Sequence, residues 1–295
     1  MEAQTIFFKV KYNHYRDVDD STAHAVRDRE DLRECECVLR LPASYTEEGD
    51  PTPLIISCHG AGGRVCKAEE KIGGVASVAN CVEAGFAALD VCGSEPHGLT
   101  MGCPAHIMAL YKGYRYAVRH YNLSDRVLVA GESMGGQTAM NFANAFPSYV
   151  IAVGLFYPRL NMDGVTVNGH YCIGSWDKEV PKLDGTTNTR KLMIENFSFP
   201  TNAWCDENTV GFNPHRTHAC ADAEGQRVVI PPCPIKIWHG LEDTTIDYVM
   251  TEEYVNSVRR SSSYIELHLL EGTGHKKSDA MREERLYWFR RFADC

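Results

Sequence analysis

One serine lies between two glycines in the run Gly131-Glu132-Ser133-Met134-Gly135, where an apolar β-type segment meets a helix-type segment. A serine on a sharp strand-to-helix turn leaves no space for side chains two residues before or after it, which explains the glycines Gly131 and Gly135. The N–H groups and partial positive charge of the following helix would face the serine oxygen. The pattern predicts that Ser133 is a nucleophile for acyl transfer.

A serine hydroxyl attacks a carbonyl efficiently only when a base removes its proton and a third group orients that base. Candidates for both roles follow strand-like segments nearer the C-terminus. Asp243 comes just after the segment 235–239, and His275 lies in the Gly-rich loop after 264–270. We therefore predict that His275 is the base and that Asp243 orients it.

Neighbouring residues with the same chemistry stay open as alternatives. Glu242 and Asp247 are the nearby acids, and His239 and His268 are the nearby imidazoles. His239 ends a strand before a glycine, where a structural hydrogen bond is the expected role, and His268 alternates with apolar residues and is expected to face solvent. Loop position and spacing favour the acid and base named above.

A second Gly-rich loop follows the apolar run 54–58 and has the composition of an oxyanion loop. Acyl transfer needs two N–H donors directed at the tetrahedral oxyanion, one from the residue after the nucleophile and one from such a loop. The expected donors are Met134 and either Ala61 or Gly62. His59 is expected to organise the loop and to lie near the substrate rather than to transfer a proton.

Together these motifs resemble those of the α/β-hydrolase superfamily, over roughly residues 35 to 295. The order Ser133, Asp243, His275 is the order of the triad in that fold. The motifs are similar to those of carboxylesterases, including acetyl and feruloyl esterases that remove acyl groups from plant polysaccharides, and of prolyl-oligopeptidase-like peptidases. Those peptidases usually carry an N-terminal propeller, for which about 50 residues before Leu54 are too few. The resemblance implies a serine esterase, with a peptidase, an acyltransferase or a non-catalytic binding protein as alternatives.

Strand-like and helix-like segments alternate along the chain, which predicts an α/β fold with a mostly parallel central sheet and helices on both faces. We expect residues 1–295 to form one domain, with the first two strands, near 5–12 and 34–41, at an antiparallel edge. The other predicted strands are 54–58, 87–92, 126–130, 150–156, 235–239 and 264–270, and the predicted helices are 69–84, 104–121, 137–145, 247–259 and 278–295.

Residues at about 159–233 interrupt this alternation with many polar residues and short apolar clusters. A long irregular segment in a compact domain is typical of a functional lid, so we predict a cap that shapes the substrate pocket. Trp204 and Arg216 in this segment, together with Trp238, are further predicted substrate contacts, with Arg216 as a candidate anchor for a carboxylate.

The chain has 12 cysteines, most of which we expect to be reduced. Cys205 and Cys220 would form a disulfide only in an exported protein. The same two cysteines with His215 and His218 could be taken for zinc ligands, but structural zinc sites usually show paired Cys-x-x-Cys spacing. We therefore expect no metal, and acyl transfer to water requires no cofactor.

The formal charge of −9 argues against a nucleic-acid partner, and no run of about 18 apolar residues predicts a membrane span. The N-terminal segment is typical of a strand rather than a signal peptide, which predicts a cytoplasmic protein; an exported protein whose leader had been removed would present the same sequence. The expected partner is a small-molecule or carbohydrate-linked ester substrate, and no oligomeric state is predicted.

Overall fold

The computed structural model describes residues 2–13, 32–92, 100, 102–161, 165–167, 170–172, 179–182, 185–188, 214, 233–259 and 264–293. The strands are β1 (Gln4–Asn13), β2 (Leu32–Leu41), β3 (Thr52–Cys58), β4 (Val65–Cys66), β5 (Lys71–Ile72), β6 (Ala87–Val91), β7 (Leu123–Glu132), β8 (Val150–Phe156), β9 (Val165–Val167), β10 (His170–Cys172), β11 (Glu179–Lys182), β12 (Gly185–Asn188), β13 (Ile235–Gly240) and β14 (Ile265–Leu270). The α-helices are α1 (Ala79–Glu83), α2 (Pro104–His120), α3 (Met134–Ala145), α4 (Tyr248–Arg259) and α5 (Asp279–Ala293).

Eight strands form the central sheet in the order β1-β2-β6-β3-β7-β8-β13-β14. The pairs β1/β2 and β2/β6 are antiparallel, and every later pair is parallel. The predicted antiparallel edge and the mostly parallel sheet are therefore confirmed. Since the carboxyl ends of parallel strands meet at one edge, the loops after β3, β7, β13 and β14 are brought together there.

Both faces of the sheet are covered by helices, as predicted for an α/β fold. Along β3, Leu54 and Ile56 enter one core cluster and Ile55 enters the other, because successive side chains of a strand point to opposite faces. Tyr114 of α2 and Phe142 of α3 fill the first cluster. In the second cluster the α-helical residues come from α1 and α5, and they pack on the opposite face of the sheet.

The predicted helix over 69–84 is wrong for most of its length. This segment begins with a 3₁₀ turn and the short strand β5, continues as a second 3₁₀ turn and becomes α-helical only in α1; the 3₁₀ turns are Lys67–Glu69 and Gly73–Val78. Gly74 explains the change, because a Cβ there would lie 2.2 Å from the carbonyl oxygen of Ser57. The backbone at Gly74 thus packs directly on β3. This contact determines the conformation of the segment, although the spacing of its apolar residues favours a helix.

The other predicted elements of the main sheet and its covering helices are present. The largest shifts are at two N-terminal ends: β7 begins at Leu123 rather than at residue 126, and α3 begins at Met134 rather than at residue 137. The earlier start of α3 places its first turn directly after Ser133.

Within the predicted cap the structure describes two antiparallel hairpins, β9–β10 and β11–β12. The predicted contacts Trp204 and Arg216 lie outside the described residues, as do the residues of the predicted disulfide and of the alternative zinc set, Cys205, His215, His218 and Cys220. The cap remains a prediction.

Among the described side chains, eight cysteines are free thiols: Cys35, Cys37, Cys58, Cys66, Cys81, Cys92, Cys103 and Cys233. Burial raises the pKa of the Cys81 thiol to about 11, so this thiol is protonated at neutral pH and packs as a small apolar side chain. No helix in the described part of the chain is long and apolar enough to span a membrane.

Candidate active site

Ser133 connects β7 to α3 with a backbone conformation that few non-glycine residues adopt, φ 54° and ψ −123°. Three backbone hydrogen bonds fix this conformation. The N–H of Ser133 donates to the oxygen of Phe156 at 3.1 Å, and its carbonyl accepts from the N–H groups of Gly136 at 3.0 Å and Arg159 at 2.9 Å. The hydroxyl of Ser133 is thereby held at the edge where the parallel strands end.

The two glycines of the motif have no space for a side chain. A Cβ on Gly131 would lie 2.3 Å from the oxygen of Gly135, and one on Gly135 would lie 2.2 Å from the oxygen of Cys58. Both contacts are with backbone atoms, which cannot rotate away as a side chain can. The geometry therefore requires glycine at both positions, as the sequence predicts.

The structure brings the three residues of the predicted triad into one line of hydrogen bonds. Nε2 of His275 lies 3.0 Å from Oγ of Ser133, and Nδ1 of His275 lies 2.7 Å from Oδ2 of Asp243. Asp243 is buried, whereas Ser133 and His275 are half-buried and so can be reached from solvent. This arrangement allows His275 to take a proton from Ser133 while Asp243 orients the imidazole.

Asp243 has a hydrogen bond at every position where a carboxylate normally accepts one. Its Oδ1 accepts from the N–H groups of Thr245 at 2.8 Å and Ile246 at 2.9 Å, while its Oδ2 faces His275 and Nε2 of His239, the latter at 3.2 Å. Burial opposes ionisation, but the bonds from both histidines and both N–H groups outweigh it and hold the pKa of Asp243 well below its usual range. Asp243 is therefore a carboxylate at neutral pH.

His239 lies on the far side of Asp243 from His275, as expected for a structural residue. Its Nε2 also lies 3.0 Å from the carbonyl oxygen of Ile246, which can only accept, so Nε2 carries the proton. Its Nδ1 then accepts from the hydroxyl of Thr251 at 2.9 Å. His239 thus supports Asp243 and leaves His275 as the imidazole that contacts Ser133.

The other alternative acids and bases lie in different surroundings. Oδ1 of Asp247 accepts from the N–H of Val249 at 3.0 Å, next to the start of α4, which is the role of a helix cap. Nδ1 of His268 lies 3.1 Å from a carboxylate oxygen of Glu284. Glu242 is exposed.

The Gly-rich loop after β3 packs against the nucleophile turn. The N–H of Gly63 donates to the oxygen of Gly60 at 2.9 Å, which closes a turn over Ala61 and Gly62, and Gly62 has a φ of 80° that favours glycine. A Cβ on Gly60 would lie 3.6 Å from Cβ of Ser133. Met134, on the other side, begins α3, and the first N–H groups of a helix lack acceptors within it. Gly60 of this loop and Met134 therefore lie next to Ser133, and the assignment of the oxyanion donors stays a prediction.

His59 lies beneath this loop and is not a surface residue. It is 2% exposed, and its Nδ1 lies 2.8 Å from Oδ2 of Asp90, which also accepts the N–H of Gly74 at 2.7 Å. Burial disfavours a charged imidazole, but the Asp90 carboxylate outweighs this and raises the pKa of His59. The expected contact of His59 with substrate is therefore corrected: the side chain is enclosed and keeps only the role of organising the loop.

Trp238 is a core residue, which corrects its predicted contact with substrate. Strand alternation turns the side chain into the cluster beneath β13, where it is fully buried with its ring edge against Phe156, 5.5 Å between centroids. Its indole N–H donates to a carboxylate oxygen of Glu284 at 2.7 Å. Trp204 and Arg216, the other predicted contacts, fall outside the described residues.

A polar cluster beside the triad was missed by the sequence analysis. Oε2 of Glu132 accepts from Nζ of Lys277 at 2.5 Å, from the hydroxyl of Ser77 at 3.2 Å and from that of Tyr157 at 3.3 Å. Burial would raise the pKa of Glu132, but the charge and hydrogen bond of Lys277 lower it. The signal in the sequence was an acid next to the nucleophile and a lysine two residues after His275.

This cluster joins the loop of His275 to the nucleophile turn. Glu132 precedes Ser133, and Lys277 follows His275 by two residues, so their ion pair connects the two ends of the Ser133–His275 hydrogen bond. The ring of Tyr157 lies against the imidazole of His275, with 4.4 Å between centroids. The cluster thus restrains both the position and the tilt of His275.

No protein-family model matches the chain, and no curated protein matches it in sequence. Solved structures do match. A truncated carbohydrate esterase from gut microbiota is 15% identical to this chain with a TM-score of 0.61, and the match covers 97% of each chain. Est1E from Butyrivibrio proteoclasticus is also 15% identical, with a TM-score of 0.54. That match covers 89% of this chain and 96% of Est1E. A puromycin-hydrolysing peptidase from Mycobacterium tuberculosis is 14% identical with a TM-score of 0.60 and 88% of this chain covered.

The chain spans only 37% of the length of that peptidase. At these identities the likeness concerns the fold, and it agrees with the topology of the sheet described above. The protein has the α/β-hydrolase fold, as the sequence motifs predict.

Replacing Asp243 with Asn should lower kcat about 10⁴-fold, because an amide in contact with Nδ1 favours the wrong tautomer of His275. The matched control is Asp247→Asn, which should change kcat less than about two-fold because asparagine also caps helices well. Steady-state hydrolysis of an aryl ester by both variants measures the difference. A larger loss in Asp247→Asn than in Asp243→Asn would show that the wrong acid has been assigned.

Replacing Lys277 with Met should lower the free energy of unfolding by about 1–3 kcal/mol, because it leaves the half-buried Glu132 carboxylate without its cation. Adding Glu132→Gln to this variant should recover part of the loss. Urea unfolding of the two single variants and the double variant measures the coupling. Strictly additive losses in the double variant would contradict the pairing. The control is Lys9→Met, which breaks an exposed ion pair with Glu34 and should change the free energy of unfolding little.

Proposed function

We propose that this protein is a serine hydrolase that cleaves carboxylic esters through an acyl-enzyme on Ser133. The observation that carries the proposal is the line of hydrogen bonds from Ser133 through His275 to Asp243. It supplies a nucleophile, a base and an orienting carboxylate in the order that acyl transfer requires.

In the first half of the reaction, Oγ of Ser133 attacks the ester carbonyl carbon while Nε2 of His275 takes the hydroxyl proton. The negative charge that forms on the carbonyl oxygen is stabilised by the N–H of Met134 and by that of Ala61 or Gly62. The tetrahedral intermediate then collapses, the bond to the alkoxy oxygen breaks, and His275 returns its proton to the leaving alcohol. The acyl group stays on Ser133.

In the second half, a water molecule replaces the alcohol and His275 removes one of its protons. The resulting hydroxide attacks the acyl carbon, the bond to Oγ of Ser133 breaks, and the proton on His275 returns to Oγ. Asp243 stabilises the imidazolium in both halves without accepting its proton. One ester and one water give one acid and one alcohol, and no cofactor takes part in these steps.

The likeness to two esterase structures over 89% and 97% of this chain supports an ester as the substrate. The likeness to a carbohydrate esterase also supports the narrower proposal that the natural esters are linked to carbohydrate. We further propose that the cap at about 159–233 shapes the pocket for the acyl group. A peptidase activity on the same triad is the second candidate.

Ser133→Ala should abolish hydrolysis, with kcat falling by about 10⁴-fold or more, because no other group in the line can attack the carbonyl. The panel consists of 4-nitrophenyl esters of increasing acyl length, methyl ferulate and a prolyl 4-nitroanilide. The expected result is cleavage of esters that depends on Ser133, with an unchanged circular dichroism spectrum for the variant.

Cleavage of the anilide rather than the esters would favour the peptidase. Activity of Ser133→Ala close to that of the wild type would contradict the assignment of the nucleophile.

A further inference from the structure

Arg159 is fixed directly beside the nucleophile by its own backbone. Its N–H donates to the carbonyl oxygen of Ser133 at 2.9 Å. The preceding residue, Pro158, packs on the first turn of α3, where a Cβ on Gly136 would lie 2.3 Å from Cβ of Pro158. Arg159 is therefore a direct neighbour of Ser133 in space. It lies in the segment that follows β8.

The guanidinium of Arg159 has no protein partner in the part of the chain that the structure describes, although the side chain is half-buried. Two other cations near the site do have partners: Lys277 donates to Glu132, and Arg285 donates to the carbonyl oxygen of Ser77 at 2.7 Å. A guanidinium presents five N–H donors, and those of Arg159 are not among the enclosed polar atoms of the described residues. They are therefore available to a ligand that supplies acceptors.

The nearest acid of the site is not available to Arg159. The negative charge of Asp243 raises the pKa of the Arg159 guanidinium. All four acceptor positions of that carboxylate, however, already accept hydrogen bonds from Thr245, Ile246, His239 and His275. Burial lowers the pKa of Arg159 to about 10 against the raising effect of Asp243, so the side chain is still a cation at neutral pH.

The charge of the whole protein opposes an anionic ligand, so only a cation at the site itself could attract one. At a net charge of −9, the protein as a whole repels an anionic substrate. An enzyme of this charge that acts on anionic esters needs a positive group at the site itself. A guanidinium suits a carboxylate in particular, because its N–H groups form two parallel hydrogen bonds with the two oxygens.

We propose that Arg159 binds a carboxylate group of the substrate, so that the preferred esters carry a carboxylate near the ester being cleaved. This inference rests on the proposed ester hydrolysis and names its substrate class. The carboxylate belongs either to the acyl part, as in the half-ester of a dicarboxylic acid, or to the alcohol part, as in an ester of a hydroxy acid.

Two matched pairs of esters test the inference and distinguish the two sources. For the acyl part, the mono-4-nitrophenyl ester of adipic acid is compared with the same compound after methylation of its free carboxylate. For the alcohol part, 4-acetoxybenzoate is compared with its methyl ester. The proteins are the wild type, Arg159→Met, Arg159→Lys and the control Arg126→Met, which removes an exposed arginine about 20 Å along β7 from Ser133.

The wild type should prefer the anionic member of one pair. In Arg159→Met the ratio of kcat/KM for anionic over neutral ester should fall about 30- to 100-fold in that pair, mainly through KM, because a charge-assisted hydrogen bond is lost. Arg159→Lys should recover part of the ratio, and Arg126→Met should leave it unchanged. An unchanged ratio in both pairs, or an equal loss on neutral and anionic esters, would overturn the inference.

Calorimetric titration of the two anionic esters into Ser133→Ala protein gives a second readout that does not need turnover. Binding that weakens when Arg159→Met is added supports the carboxylate site. If the wild type hydrolyses none of the four esters, that result counts against the proposed function and not against the carboxylate site. Binding that does not depend on Arg159 would overturn the inference, and thermal unfolding shows whether each variant is folded.

Discussion

The strained backbone of Ser133 is the constraint on which the rest of the site depends. A non-glycine residue at a φ of 54° is maintained only where its surroundings fix it. Here the surroundings are the two flanking strands, the first turn of α3 and two glycines whose Cβ atoms would collide with backbone. The same close packing brings the Gly-rich loop after β3 next to the serine. The nucleophile and the loop that would hold the oxyanion are therefore positioned by one set of contacts.

Electrostatics then determines which groups near Ser133 are charged. Asp243 stays ionised because four hydrogen bonds satisfy its carboxylate, and the two histidines on either side of it have different surroundings. His239 is enclosed and fully hydrogen-bonded, whereas His275 is half-buried and faces Ser133. The Glu132–Lys277 ion pair holds the loop of His275 in place. Arg159 is the cation beside the serine that these interactions leave unpaired within the described residues.

Much of the fold and the triad could be predicted from the sequence, because each functional residue follows an apolar strand and parallel strands end at one edge. Two predictions failed where packing between distant segments overrode the local pattern. The apolar spacing of 69–84 favours a helix, but the packing of Gly74 on Ser57 excludes it. Trp238 resembles a site residue in sequence, yet strand alternation buries it. Glu132 fills a variable position of the nucleophile motif and Arg159 belongs to no motif, so their roles come from partners, or the lack of one, that only the folded chain reveals.

The most direct test of the central claim is stoichiometric labelling with diethyl 4-nitrophenyl phosphate, which phosphorylates a serine only when an adjacent base activates it. The account predicts one 4-nitrophenolate released per chain, and peptide mass spectrometry should locate the diethylphosphoryl group on Ser133. Asp243→Asn should slow the labelling strongly. Labelling at another residue, or no labelling of a protein that hydrolyses esters, would contradict the assignment of Ser133 as the nucleophile, His275 as its base and Asp243 as the acid that orients the base.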